Sequence, residues 1–388
     1  MSLVLVTGGA GFIGSHTVDL LLENGYDVRV LDSLQPRVHP RGKPEYLADE
    51  VDFIHGDVAN RQDLARALEG ADLVLHLAAY QDYLPDFSTF IHTNTESTAL
   101  IFELMVAEPD RYPIRKVVAA SSQSVSGEGK YRCVEEGTVI FPGPRTIEQL
   151  LAGQWDSFCP QCGAPLEPML IDEACSNPHT AYGISKYAIE LLLFNLGRRY
   201  GIATAAMRYT YVQGPRNSFY NAYSGIARRF ALQLRAGLPP VCYEDGMQLR
   251  DYVNVFDVAR ANVIALESPD ADGVALNVGG GVGVTVREFA ETMVRESGVS
   301  VTPEVPGEFR LGDTRHTVSD LTRMRRLGWE PVFAFDENVR QYLAWLDTQA
   351  NTAEYLAEAD RIMAEQGIVR RAVPRLHETS PGDSRSRR

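Results

Sequence analysis

The sequence is short of several things, and each shortage excludes something. It has no run of about 18 consecutive apolar residues, which argues against a membrane-spanning helix. Its first residues lack the basic and apolar regions of a secretory leader, so a cytosolic location with reduced thiols is expected. Positive charge is scarce. The 37 Lys and Arg face 51 Asp and Glu, for a formal net charge of −14. General nucleic-acid binding runs on Lys and Arg neutralising phosphates, so such a chain is a poor candidate for it. A local nucleotide site remains open to it. The eight histidines show no ligand spacing, and no internal repeat is visible. Cysteine is sparse, with five in 388 residues. Four of them, Cys133, Cys159, Cys162 and Cys175, crowd into one stretch, while Cys242 stands apart as a packing residue. In a reducing compartment such a cluster suggests metal or packing rather than disulfides.

What is present is a regular alternation. Short Val-, Ile- and Leu-rich runs at Leu3–Val6, Val28–Leu31, Val51–Ile54, Leu73–Leu77 and Val117–Ala120 read as buried parallel strands. Amphipathic segments at Thr17–Asn24, Gln62–Glu69 and Thr95–Val106 lie between several of them. This rhythm predicts an α/β fold built on a Rossmann-type doubly wound parallel sheet. Residues from about 128 to 177 break the pattern: they are rich in Pro, Gly and Cys without a clean period, and read as an insertion. Helical periodicity returns at Tyr182–Tyr200, with a strand at Thr204–Met207. Helices at Ser224–Arg235, Val255–Glu267 and Val286–Ser297 and a strand at Ala275–Val278 follow. The expected organisation is a dinucleotide-binding domain over 1–210, carrying the insertion, and a smaller C-terminal substrate domain over 211–350 with some segments returning to the first. Residues 351–388 are expected to be a C-terminal helix and a disordered polar tail.

Thr7-Gly8-Gly9-Ala10-Gly11-Phe12-Ile13-Gly14 follows the first strand and opens the first helix, the context that gives a glycine-rich pattern meaning. Gly8 permits the tight turn, Gly11 lets backbone approach a pyrophosphate, and Gly14 lets helix and strand pack closely. The helix N-terminus, at Phe12 and Ile13, offers N–H groups to phosphate. Asp32, followed by Ser33, ends the second strand at the expected distance. Its carboxylate suits ribose hydroxyls and repels a 2′-phosphate, which favours NAD over NADP. Asp57-Val58 is placed to touch adenine, although Asp57 as a helix N-cap is an equal alternative. Leu77-Ala78-Ala79 ends the fourth strand with small residues against which a cofactor could lie.

Tyr182-Gly183-Ile184-Ser185-Lys186 opens a long helical segment, and the i, i+4 spacing puts Tyr182 and Lys186 on one face. A neighbouring ammonium and a cationic nicotinamide both favour the phenolate, so Tyr182 is the candidate general base and Lys186 its partner. Lys186 would also reach the nicotinamide ribose. Ser122, after the fifth strand, can hold the reacting oxygen.

With Arg250-Asp251-Tyr252-Val253, these motifs resemble the extended short-chain dehydrogenases that modify nucleotide sugars. The resemblance spans roughly residues 1–345. It implies a tightly bound NAD, transient oxidation at the sugar's C4, and return of hydride to the other face. It also implies a structural role beside the cofactor for Asn94. Arg250 and Arg310 resemble the arginines that clamp a substrate diphosphate. Dehydratases of the group carry an Asp-Glu pair after the catalytic hydroxyl. Here those substrate-facing positions are Gln123 and Ser124, which favours epimerisation. A 4-ketoreductase, a dehydratase and a non-catalytic NAD sensor are the alternatives. The run Arg208–Gly225 and the Cys-Pro-Gln-Cys-Gly insertion look like the dTDP-L-rhamnose 4-epimerase branch, which would place Tyr211 and Asn221 at a deoxyhexose or its diphosphate. Family analogy further implies a homodimer paired through the helices near 95–106 and 182–200.

Cys159-Pro160-Gln161-Cys162-Gly163 has the spacing of half a zinc ribbon. Cys133 and Cys175 are the expected complement for a structural zinc. The branch that this chain resembles often has a histidine three residues after the first of these cysteines; here that position is Glu136.

Overall fold

The computed structural model describes residues 2–82, 85–218, 220, 225–349 and 369–372. Its main sheet holds seven parallel strands: β1 (Leu3–Thr7), β2 (Asp27–Asp32), β3 (Asp52–His55), β4 (Leu73–His76), β5 (Lys116–Ser122), and two later segments. Between them the insertion contributes β6 (Tyr131–Cys133), β7 (Val139–Ile140) and β8 (Leu166–Pro168), a small antiparallel sheet of its own. The main sheet then resumes with β9 (Ala203–Tyr209). After β10 (Tyr211–Gln213) and β11 (Leu249–Asn254), the chain returns to it once more with β12 (Val274–Val278). The strand order is β12-β9-β5-β4-β1-β2-β3. The order reverses between β1 and β4, and such a point opens a crevice at the carboxyl ends of the strands.

Except for the edge strand β3, the strands are buried on both faces because helices cover both. Val4, Val6, Val28, Val30 and Leu75 point to one side, where the helices Phe12–Glu23 and Val255–Glu267 pack with Trp329. Leu5, Leu31, Val74, Val117 and Ala119 point to the other, against Arg61–Leu68, Ser97–Ala107 and Ala181–Tyr200. This two-sided burial explains the continuous apolar runs of the sequence. Asn60 caps the helix Arg61–Leu68 by accepting from Gln62 and Asp63 amides. Asp57 therefore does not serve as its N-cap.

The second body centres on β11, which pairs with β10, with β13 (Gly283–Thr285) and with β15 (His316–Thr317). The helices Ile226–Arg235, Val286–Ser297 and Phe335–Asp347 bury Phe230, Phe289, Met293 and Tyr342 against it. A short pair, β14 (Glu308–Arg310) and β16 (Val369–Arg371), completes the described structure. The expected C-terminal helix and tail fall outside the described residues except for 369–372. The insertion proves to be ordered, with three strands and the short helix Ile147–Leu151 where no period is visible in the sequence.

Candidate functional site

Backbone geometry shapes the crevice end of β1. Gly8 has φ +68°, and a Cβ there would come within 2.7 Å of the Ala78 amide nitrogen. The turn therefore lies directly on the Leu77–Ala78 backbone, so that only glycine fits. A Cβ on Gly14 would meet the Gly8 carbonyl oxygen at 2.2 Å, and one on Gly11 would meet it at 3.2 Å. The helix that starts at Phe12 has no side-chain cap and no acidic residue in its first turn. Its N-terminal amides are thus available to an anion. Asp32 is fixed at the end of β2: its carboxylate accepts from the Ala10 amide at 3.0 Å and from the Leu34 amide at 2.8 Å. Ser33 is half-buried beside it, and its carbonyl meets His55 Nε2 at 3.1 Å. Asp57 is exposed, while Val58 packs into the core beneath. Leu77 and Ala78 are half-buried and Ala79 is exposed. The glycine cradle, the uncapped helix and the terminal carboxylate fit a dinucleotide without a 2′-phosphate.

The crevice continues into a cleft of about 710 Å³. Phe12, Ile13, Ser122, Gln123, Ser124 and Tyr182 line it from the main sheet's side. Tyr211, Arg250 and Arg310 line it from the second body. Ser122 ends β5, and its hydroxyl accepts from the Ser124 amide at 3.1 Å, capping the 3-10 turn Gln123–Ser126. Gly183 lets the helix Ala181–Tyr200 press onto that turn, since a Cβ there would be 2.6 Å from the Ser124 carbonyl oxygen. Tyr182 and Ser122 are brought together in this way. Lys186 lies beneath, fully buried, donating to the Ala120 carbonyl at 2.8 Å with its Nζ 5.8 Å from the Tyr182 ring centroid.

Burial dominates the electrostatics. It pushes the Tyr182 hydroxyl up to about 12, with the Ser122 hydroxyl working in the other direction. It pushes the Lys186 ammonium down to about 7. Burial, aided by the Lys186 charge, also lowers His76 to about 3 and keeps it neutral. His76 bridges Thr7 and Ser97 at 2.8 and 2.9 Å, a relay that ties β1 and β4 to the helix Ser97–Ala107. This relay is invisible in the sequence, because a lone His at a strand end carries no motif.

Other expected residues have more specific positions. Asn94 lies in a π-helical turn, Ile91–Glu96, and is fully buried. Its amide group donates to the Tyr80 carbonyl and the Ser185 hydroxyl, both at 3.0 Å, and its oxygen accepts from the Tyr80 amide at 2.7 Å. Both of its donors are spent on protein. It fastens the loop after β4 to the helix that carries Tyr182 and Lys186. Arg250 donates to the carbonyls of Leu249, Thr314 and Arg315, which leaves its Nε and one Nη2 hydrogen for a ligand. Arg310 pairs with Asp313 at 2.9 Å. Asn221 lies outside the described residues. Cys175 is a correction. It is buried with its thiol toward the Ser126 carbonyl, and its own carbonyl accepts from Arg208 at 2.9 Å, whereas Cys133, Cys159 and Cys162 gather with Glu136. Arg208, itself paired with Glu190, holds the Cys175 backbone beside β9, and the thiol takes no part in that cluster.

Four buried oxygens on cleft-lining residues have no partner among the described residues: Gln123 Oε1, Thr210 Oγ1, Gln248 Oε1 and Tyr252 Oη. Buried polar atoms are normally satisfied, so these four are positions where a bound water or a polar ligand group would be accommodated. Gln123 is a candidate from sequence; Thr210 and Tyr252 lie within quoted motifs without a role of their own, and Gln248 belongs to no motif.

The sequence signature of the NAD-dependent epimerase/dehydratase family matches residues 4–146 and 156–279. The chain is 30% identical to a dTDP-L-rhamnose 4-epimerase of Burkholderia thailandensis, over 88% of this chain and 94% of that one. Among solved structures, it is similar to the Thermotoga maritima UDP-glucose 4-epimerase with UDP-glucose, at 29% identity and a TM-score of 0.70, covering 89% of this chain and 99% of that one. The Thermus thermophilus UDP-glucose 4-epimerase complex with NAD gives 29% identity and a TM-score of 0.67 over the same shares.

Proposed function

The chain belongs to the NAD-dependent epimerase/dehydratase family, and on that premise we propose that it inverts C4 of a dTDP- or UDP-hexose. The observation that carries this reading is the convergence of Ser122 and Tyr182 above buried Lys186, on a cleft wall that continues from the glycine cradle. Gly8, Gly11, Gly14 and Asp32 would hold NAD, with the backbone of Leu77–Ala79 beside it. When bound, NAD supplies reversible oxidation and reduction at the sugar's C4.

The protein's part is the proton. Tyr182 Oη takes the 4-hydroxyl proton and later returns it, while the Ser122 hydroxyl holds the sugar oxygen within reach. A tyrosine pushed up to about 12 is a weak base near neutral pH. Lys186 is the chain's own group that can correct this. Its ammonium, when charged, favours the phenolate through the shared low-dielectric pocket. Gln123 and Ser124 follow Ser122 at the cleft and cannot do the acid–base work of water elimination, so the sugar is inverted rather than dehydrated. Arg250 and Arg310 would hold the diphosphate, and Tyr211, Gln123 and Ser124 the sugar.

The test is incubation of the purified chain with dTDP-, UDP- and GDP-hexoses, 6-deoxyhexoses included, without added cofactor. An isomer of unchanged mass inverted at C4, identified by NMR, is expected. Loss of water would make the enzyme a dehydratase. A requirement for added NAD(P)H and a keto sugar would make it a reductase.

Val106, Ile184 and Leu191 are exposed on the segments expected to pair across a two-fold axis. We therefore read the enzyme as a homodimer, and Leu191→Arg should halve its mass by light scattering. We read the setting as reducing and cytosolic, where cysteines stay available as thiols or metal ligands.

A further inference from the structure

We propose that the insertion holds a structural zinc ion between Cys133, Glu136, Cys159 and Cys162, and that this ion organises the insertion. The ligand atoms of these four residues lie within 4.8 Å of one another. Cys133 Sγ and Cys162 Sγ are 3.5 Å apart. Two thiolates on one tetrahedral zinc, each at about 2.3 Å, would lie about 3.8 Å from one another, so little movement is needed to admit the ion.

The backbone makes the case more specific. Two turns in the insertion repeat the same geometry. In the first, the Gly137 amide donates to the Cys133 carbonyl at 2.9 Å and the Cys133 amide to the Thr138 carbonyl at 2.9 Å. In the second, the Gly163 amide donates to the Cys159 carbonyl at 2.9 Å and the Cys159 amide to the Ala164 carbonyl at 2.8 Å. Gly137 and Gly163 both take positive φ, +66° and +75°. Each turn thus presents its first and fourth side chains to a common point: Cys133 and Glu136 from one, Cys159 and Cys162 from the other. Glu136 occupies in the first turn the place that Cys162 occupies in the second. Three soft thiolates and a carboxylate, with no thioether among them, suit zinc.

The energetics of the insertion also call for a staple. Its own core is Tyr131, Cys133, Cys159, Ala164 and Leu166, with Ile140 at the margin. A core that small cannot by itself offset the entropy of ordering the surrounding segment. Four protein ligands close the coordination sphere, so the role is structural.

The test uses the full chain. Elemental analysis should give about one zinc per chain, and the cobalt-substituted protein should show the thiolate-to-metal absorption of a tetrahedral site. C175S and C242S should keep the metal. C133S, C159S and C162S should lose it. Because loss of a buried cysteine also disturbs folding, the deciding variants are at exposed Glu136. E136A should weaken zinc retention against a chelator by roughly a hundredfold, since even outer-shell losses reach that scale. E136C should restore or exceed the native affinity. The proposal is overturned if the folded wild type carries no zinc, if mass spectrometry finds a Cys133–Cys162 disulfide, or if E136A and E136C leave retention unchanged.

Discussion

The seven-stranded sheet and the segment 128–177 keep their shape by different means. In the sheet, alternate residues of every strand enter one of two continuous apolar cores, and order follows from burial. In the insertion the apolar core is a handful of side chains, and charge does much of the holding. Arg145, almost fully buried, donates to Glu244 at 2.8 and 2.9 Å and to the carbonyls of Trp155 and Asp313. Arg315 meets Asp156, Glu244 and Asp245. These pairs join the insertion to the second body around the cleft. The difference teaches where to expect robustness: the sheet tolerates change that conserves volume, while the insertion depends on a few polar contacts that must all be satisfied.

The largest effect belongs to the sheet's own chemistry. Tyr182→Phe keeps the ring and its packing but removes the proton carrier, so kcat should fall by about 10²- to 10⁴-fold. NAD content should be unchanged when measured on the same preparation. A small loss in kcat would remove Tyr182 from the mechanism. Next is the ion pair that each region relies on. Arg208→Met leaves Glu190, which is 2% exposed and meets Arg208 at 2.7 and 2.8 Å, without its cation and with only the Ser121 hydroxyl as partner. Breaking such a pair costs about 3–5 kcal/mol, so global unfolding in urea should shift by that amount. Arg145→Met should cost less, about 2 kcal/mol, because Arg315 still meets Glu244 at 3.1 Å. Hydrogen exchange should then show faster opening at 128–177 with the main sheet still protected. If both variants loosened the same amides, the two regions would be one cooperative unit and the contrast would fail.

The sequence is legible where one physical rule dominates. Strands β1, β2, β4 and β5 are readable because two-sided burial demands continuous apolar runs, β3 as a short apolar pair at the edge, and Gly8 and Gly14 because close backbone contact constrains single positions. Ser122, Tyr182 and Lys186 were readable as a motif, and the structure places Tyr182 over Lys186 as the i, i+4 spacing requires. The insertion was not readable. Its strands β6 to β8 are two or three residues long, too short to show a period. Counting cysteines favoured Cys175 over Glu136 as a ligand, but proximity depends on matched turns that no spacing rule records. Arg250 was read as a ligand clamp. Half of its work, holding the Thr314 and Arg315 carbonyls, becomes visible only in three dimensions.

The smallest expected effect tests whether burial itself tunes the site. An ordinary lysine titrates near 10.5, and burial lowers Lys186 to about 7. Between those values the unfolded chain carries a proton at this position that the folded chain does not, so stability rises with pH across that window. Below about 7 both states are protonated, and the folded state bears the full cost of a buried charge. Lys186→Met removes this dependence. The cofactor-free variant should therefore be the more stable protein at pH 7, and its advantage over wild type should shrink by about 2 kcal/mol by pH 9. Urea unfolding of both proteins at the two pH values measures this directly. A constant difference would mean that Lys186 keeps its charge throughout, sustained by its bond to the Ala120 carbonyl. In that case the ammonium would be present at every working pH to favour the Tyr182 phenolate, and the lower limb of the pH–rate profile would have to come from Tyr182 alone.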